Sequence, residues 1–161
     1  MAKKTEKKTN AMRELERAGV SYQSHFFECN EAKSGVEVAK MLNQNPEQVF
    51  KTLVTQGKSG KHYVFMIPVA QDLDLKKAAN AAGEKAVSMI KQKELLPLTG
   101  YVHGGCSPLA MKTQFVTFID ETAELFETIL FSGGKIGCQI ETSLDSLSKA
   151  IQIQTADLTA Y

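Results

Sequence analysis

With 161 residues, a net charge of +1 and 43% apolar residues, the chain has the size of one compact domain, which at this length buries about 70% of its unfolded surface. No apolar run approaches the ~20 residues of a membrane helix, and MAKKTEKKTN lacks the apolar segment of a secretory signal, so a cytoplasmic protein is expected. Near-neutral charge excludes whole-molecule attraction to nucleic acid, and an RNA partner needs a local basic patch or a second protein to hold it.

In chain order, Lys3, Lys4, Lys7 and Lys8 make residues 1–8 a basic, flexible tail. AMRELERAG reads as a short helix with Met12 and Leu15 inward and Gly19 at its end. VSYQSHFFE follows as an aromatic-rich strand. Ser34 and Glu37 have the spacing of a capping box before VEVAKMLN, and Pro46 suits the start of one further helical turn in NPEQV. FKTLVTQ and KHYVFMIPV flank the turn GKSGK, a hairpin pattern. Asp74 is placed to cap LKKAANAAG, which Gly83 closes. KAVSMI is predicted as a strand, and KQKELL as a helix stopped by Pro97. FVTFID is a strand leading through Asp120 into a helix, ETAELFET. ILFSGGKIGCQIE reads as two strands about a glycine turn, and Ser143 caps a last amphipathic helix, SLDSLSKAI. Helices and strands alternate, yet two hairpins oppose a purely parallel sheet. An α+β fold on a mixed, strongly curved sheet results, with residues 1–161 as a single domain.

Three widely spaced cysteines, Cys29, Cys106 and Cys138, include no C-x-x-C pair. Within YVHGGCSPLAMK, His103 and Cys106 invite the reading of a thiol nucleophile and its base. A small semi-buried thiol beside a turn is the plainer reading, since no cysteine-protease signature accompanies it. His25 and Cys29 lie four residues apart on a strand, ~13 Å, too far for one metal ion, and His62 reads as a strand-surface residue. FSGGKIG lacks the glycine and the Ser or Thr of a Walker loop, with Ile129 and Ile136 at those places. It reads as a tight turn, with a backbone anion nest as the functional alternative. Asp120 and Glu121 fit capping better than acid–base work. Lys51 is sharper: it opens a strand among Phe50, Leu53 and Val54, where snorkelling to solvent competes with a functional role.

Five stretches in order, VFKTLV (49–54), LDLKKAA (73–79), TGYVHGGCSPLAMK (99–112), FIDE (118–121) and SGGKIG (132–137), closely resemble the YbaK/EbsC family. These are freestanding aminoacyl-tRNA deacylases, kin to the editing domain of bacterial prolyl-tRNA synthetases. The resemblance implies a mixed, barrel-like sheet wrapped by helices. It implies removal of cysteine misattached to tRNA(Pro), without metal or cofactor, and prolyl-tRNA synthetase as a partner. Carried over by motif, Lys51, Gly104 and Gly105 are the catalytic positions. Phe27, Thr52, His103, Ser132, Gly133, Gly134 and Gln139 are assigned to substrate binding. In that reading backbone amides at Gly104 and Gly105 stabilise the tetrahedral oxyanion, and Lys51 holds phosphate or ribose oxygens as a point charge. The nucleophile is the substrate's own thiol, released as a thiolactone. Two positions depart: Phe27 stands where some members carry Tyr, and Gln139 where some carry Asp. These raise the alternative of alanine or another small residue as the amino acid removed. A tRNA- or synthetase-binding module without turnover is the third reading.

Overall fold

The computed structural model describes residues 8–28 and 33–160. Lys3, Lys4 and Lys7 of the expected tail, and Cys29, lie outside the described residues. Lys8 lies inside them and is anchored, its ammonium 2.9 Å from Glu16.

Helices begin where the sequence supplies a cap. Thr9 accepts the Met12 N–H at the start of α1 (Asn10–Arg17), and the chain leaves it through Gly19 at φ +74°. The Ser34–Glu37 capping box opens α2 (Gly35–Met41). Asp74 accepts the amides of Lys76 and Lys77 at the head of α3 (Leu75–Ala82), which ends at Gly83. Ser143 starts α5 (Leu144–Ala150). Two expectations need correction. First, α4 (Gln92–Thr99) runs through Pro97. The hydrogen bond lost is the one to the Lys93 carbonyl, and Lys93 and Pro97 are both exposed, so water can satisfy that oxygen. Second, only a 3-10 helix forms after Asp120, over Glu121–Leu125. Of its five residues only Ala123 is buried, too narrow an apolar face to hold a longer helix.

The strands form two sheets. One is antiparallel, in the order β1 (Gln23–Phe26), β7 (Cys138–Thr142), β6 (Ile129–Ser132). The other is mixed, in the order β4 (Val87–Met89), β2 (Phe50–Gly57), β3 (His62–Pro68), β5 (Val116–Asp120), β8 (Ile153–Ala156). The β2–β3 hairpin is antiparallel, as the glycine turn predicts, whereas β5 and β8 add in parallel. β8 had no counterpart in the sequence reading. The sheets meet at a parallel bridge between Val49 and Leu130, where the Leu130 N–H donates to the Gln48 carbonyl at 3.0 Å. The α+β class is as expected, but neither sheet closes on itself, so the arrangement is not a closed barrel.

The main core lies between the sheets under α1 and α5. It joins Met12, Leu15, Phe50, Met66, Ile119, Ile129, Phe131, Ile140 and Leu147, each side chain worth about 1.5–3 kcal/mol on burial. A second cluster puts Ala78 and Ala79 of α3 on Phe65, Ile67 and Phe118, with the Phe65 and Phe118 rings stacked at 5.4 Å. A third seals the loop after α4 onto β2 and β3 through Cys106, Met111, Val54 and Val64.

Candidate active site

Strand alternation decides which side chains converge. In β2, Phe50 and Val54 point into the core clusters, so Lys51 stands on the opposite face with Leu53 and the preceding Val49, across from Ile67. In β6, Ile129 and Phe131 are core residues, which leaves Ser132 on the side of Leu130. In β7, Cys138 and Ile140 are core residues, which leaves Gln139 and Glu141 on the other side. Ser132, Gln139 and His25 therefore share the face of the first sheet turned away from the main core, while Lys51 stands on the face of the second sheet that carries Leu53, Phe65 and Ile67 of the second cluster. Register joins the first three. Ser132 is the cross-strand partner of Gln139, Gln139 is that of His25, and Lys51 lies two residues past the isolated Val49–Leu130 bridge by which β2 meets β6. Phe27 follows β1 on the same alternation and is tied to the glycine turn, its N–H donating to the Gly137 carbonyl at 3.0 Å. Thr52 faces the other way, toward the core, and its hydroxyl oxygen is buried without a partner among the described residues.

The two glycine loops meet each other by backbone contact. A Cβ on Gly105 would lie 3.0 Å from Lys135 Cα and 3.1 Å from the Ile136 nitrogen, so only glycine lets loop 101–106 seat against the turn after β6. Tyr101 packs over Gly134, 3.4 Å from where a Cβ would stand, and donates its hydroxyl to the Leu109 carbonyl. Gly104 has φ +91°, a left-handed conformation that turns the chain back so that the Gly105 N–H donates to the Val102 carbonyl at 3.0 Å. The Gly105 amide is thus committed within the turn. The amides of Gly104 and Cys106 have no acceptor among the described residues. In the S-G-G-K turn the Gly133 N–H donates to the Cys138 carbonyl at 2.9 Å, and the Gly134 N–H to Ser132 Oγ at 3.1 Å. Both glycine amides are satisfied internally, so the tight-turn reading holds there and an anion nest of these two amides does not.

Charges among these residues are distributed unevenly. His25 Nε2 lies 2.8 Å from Glu141 Oε1, and Thr128 donates its hydroxyl to the other Glu141 oxygen at 2.6 Å. The Thr128 hydrogen bond, then His25, holds the Glu141 carboxyl below its ordinary range despite partial burial. His25 is thus a hydrogen-bond partner of Glu141, and no cluster of three or more potential metal ligands exists among the described residues. The Lys51 side chain has no hydrogen bond or ion pair among the described residues. Gln139, 5% exposed, accepts at 2.8 Å from Nε2 of Gln44, just past α2. The Gln44 oxygen is buried without a donor among the described residues. Gln44 escaped the sequence reading because no motif marks it, and only its reach across to β7 gives it a place.

Cys106 is not a nucleophile on this geometry. It is 9% exposed, packs among Val54, Val64 and Met111, and burial pushes its thiol up to about 12. An active thiol needs the opposite shift. His103 is exposed and partnerless among the described residues, at the edge of the loop. Asp120 caps, as expected: its Oδ2 accepts the Thr122 N–H and its Oδ1 that of Leu158. His62 sits against the Phe115 ring, 5.4 Å between centroids, at the hairpin surface.

Known proteins resemble this chain throughout. The family described as "Aminoacyl-tRNA editing domain" matches residues 29–150. A protein of Enterococcus faecalis named "Putative Cys-tRNA(Pro)/Cys-tRNA(Cys) deacylase EbsC" is 43% identical over 158 residues, 98% of this chain and 96% of its own length. Two crystal structures share the fold. A hypothetical protein matches 94% of this chain and 100% of its own with a TM-score of 0.85 at 22% identity. One described as "a putative trans-editing enzyme for prolyl tRNA synthetase" matches 96% and 100% with a TM-score of 0.82 at 23% identity.

Proposed function

The chain belongs to the aminoacyl-tRNA editing domain family, and on that premise we propose that it is a deacylase removing cysteine from tRNA(Pro), acting in the cytosol beside prolyl-tRNA synthetase. The observation that carries the chemistry is negative and positive at once. Cys106, in the first glycine loop, is buried with its thiol pushed up to about 12, while Lys51, without an ion pair among the described residues, opens β2 two residues past the bridge that joins it to β6, the strand of Ser132. The protein thus supplies charge and amides, and the substrate supplies the nucleophile.

In this mechanism the cysteinyl thiolate attacks its own ester carbonyl carbon, and the carbonyl oxygen becomes an oxyanion. The free amides of Gly104 and Cys106 receive it, at about 3 kcal/mol for one donor. Gly105 serves by close approach instead, since its N–H is already used. The bond from carbon to the ribose oxygen then breaks, that oxygen takes the proton, and a thiolactone leaves. Lys51 holds the terminal phosphate or ribose oxygens. Phe27 and the Gln44–Gln139 pair bound the amino-acid end, and the Gln44 oxygen offers an acceptor for the substrate's α-ammonium once its part-buried side chain turns outward.

Labelled cysteinyl-, alanyl- and seryl-tRNA(Pro) tested side by side decide the reading. Cysteine should be released fastest, and Lys51→Ala should remove most of that activity. Faster release of alanine would support the small-residue alternative, for which the neutral Gln139 and Phe27 speak. Binding of tRNA with no release from any ester would leave a non-catalytic module.

A further inference from the structure

A chain of net charge +1 holds a polyanion only through a local excess of positive charge, and the structure shows one at the far end of the β2–β3 hairpin. Lys58 and Lys61 lie on its turn. The Lys58 N–H donates to the Ala86 carbonyl at 2.9 Å, which brings Lys85 alongside. All three side chains are exposed, and none makes an ion pair among the described residues. The acid of this group is Glu84, whose carboxylate accepts from the Ser59 and Tyr63 hydroxyls. Segments 57–63 and 83–87 carry three lysines and one glutamate, an excess of +2. Beside them lies a shallow cleft of about 660 Å³, lined by Lys61, His62, Gln114, Phe115, Val116 and Gln154 among others. Its aromatic rim and amide side chains suit the face and edge of an unpaired base.

We propose that this end of the sheet is a second RNA contact, in which Lys58, Lys61 and Lys85 take phosphates of the tRNA body and the His62–Phe115 cleft takes a base. The proposal rests on tRNA being the substrate. β2 runs six residues from Lys51 to Gly57, just before Lys58, ~20 Å at ~3.4 Å per residue, so the phosphates concerned lie well away from the acylated end. This surface adds affinity without touching the ester.

The test compares wild type with a Lys58→Gln/Lys61→Gln/Lys85→Gln variant on two substrates, full-length cysteinyl-tRNA and cysteinyl-adenosine. A single nucleoside cannot span from Lys51 to the hairpin. The expected result is a loss of about tenfold or more in kcat/KM on tRNA, carried by KM, with cysteinyl-adenosine unchanged. The dependence of log(kcat/KM) on log[salt] should become shallower by about 2–3, as for three lost phosphate contacts. His62→Ala should weaken tRNA alone, and less. Equal turnover of tRNA by variant and wild type, or equal loss on both substrates, overturns the proposal. Anisotropy with uncharged tRNA separates it from the deacylase reading: even if no ester is cleaved, unchanged tRNA affinity in the triple variant rejects the surface, and a salt-sensitive loss upholds it. If the variant loses binding only to anionic vesicles, the patch serves a membrane and the RNA assignment is wrong.

Discussion

Removing the sulfur of Cys106 separates the two possible thiols, that of the protein and that of the substrate. With the Cys106 thiol pushed up to about 12 by burial, its thiolate fraction at pH 7 is roughly one in 10⁵. A free cysteine near 8.5 has a fraction of a few per cent, a thousandfold advantage for the substrate before geometry is considered. Cys106→Ala should therefore leave kcat within a factor of about two. The side chain is 9% exposed among Val54, Val64 and Met111, so its truncation should lower stability by about 1 kcal/mol. The assay is release of labelled cysteine from tRNA between pH 6 and 10, with spontaneous hydrolysis subtracted, alongside thermal unfolding. Thiolate attack requires loss of a proton, so the rate should rise about tenfold per pH unit and level off near 8.5, in wild type and variant alike. A rate still climbing toward pH 10 in wild type, and abolished in a folded Cys106→Ala protein, would refute the assignment of the nucleophile to the substrate.

Gly105→Ala places a methyl group 3.0 Å from Lys135 Cα, against backbone rather than a yielding side chain. It should cost about 1–3 kcal/mol and, by parting the two loops, reduce kcat tenfold or more. Thermal melts with single-turnover rates check both, and wild-type turnover would show that the loop contact is not needed. Glu141→Gln tests the hydrogen bonds that Thr128 and His25 make to this carboxylate. Its carboxyl is held below its ordinary value of 4.5, first by Thr128, so the stabilisation is present above about pH 4.5 and lost as pH falls through the folded value. The variant should melt lower than wild type at pH 7, and the gap should close as pH falls through the folded value. A gap that stays constant from pH 7 to the most acidic pH at which both proteins fold would mean that the charge on Glu141 is not what stabilises. Lys51→Arg keeps the positive charge while changing its shape and reach, and should retain more activity than Lys51→Ala in deacylation kinetics.

Much of the fold was legible because caps and turns are local chemistry. Ser34, Asp74 and Ser143 each accept the amides expected of them, since the acceptor sits within three residues of the donor. The glycines of the β2–β3 turn fixed the hairpin for the same reason. Where the outcome depended on distant partners, local signals failed. Pro97 predicts a helix end, yet α4 continues because only an exposed carbonyl loses its donor. β8 has no turn to announce it and exists by pairing in parallel with β5, more than thirty residues earlier.

The sequence alone nominated the candidate residues, Lys51, the two glycine loops, Ser132 and Gln139, through the resemblance its motifs carry. It could not say how these residues meet, because strand order and register belong to the whole chain. The Val49–Leu130 bridge joins the strand of Lys51 to that of Ser132, and strand alternation turns Thr52 into the core although it is the next residue. Nor could it say which amides remain free. The N–H of Gly105 is consumed by Val102 and those of Gly133 and Gly134 by their own turn, because a backbone donor takes whichever acceptor the folded turn places within reach. Burial decided the chemistry of Cys106. The same thiol near 9 in water rises to about 12 among valines and methionine, since a low-dielectric surrounding penalises the thiolate.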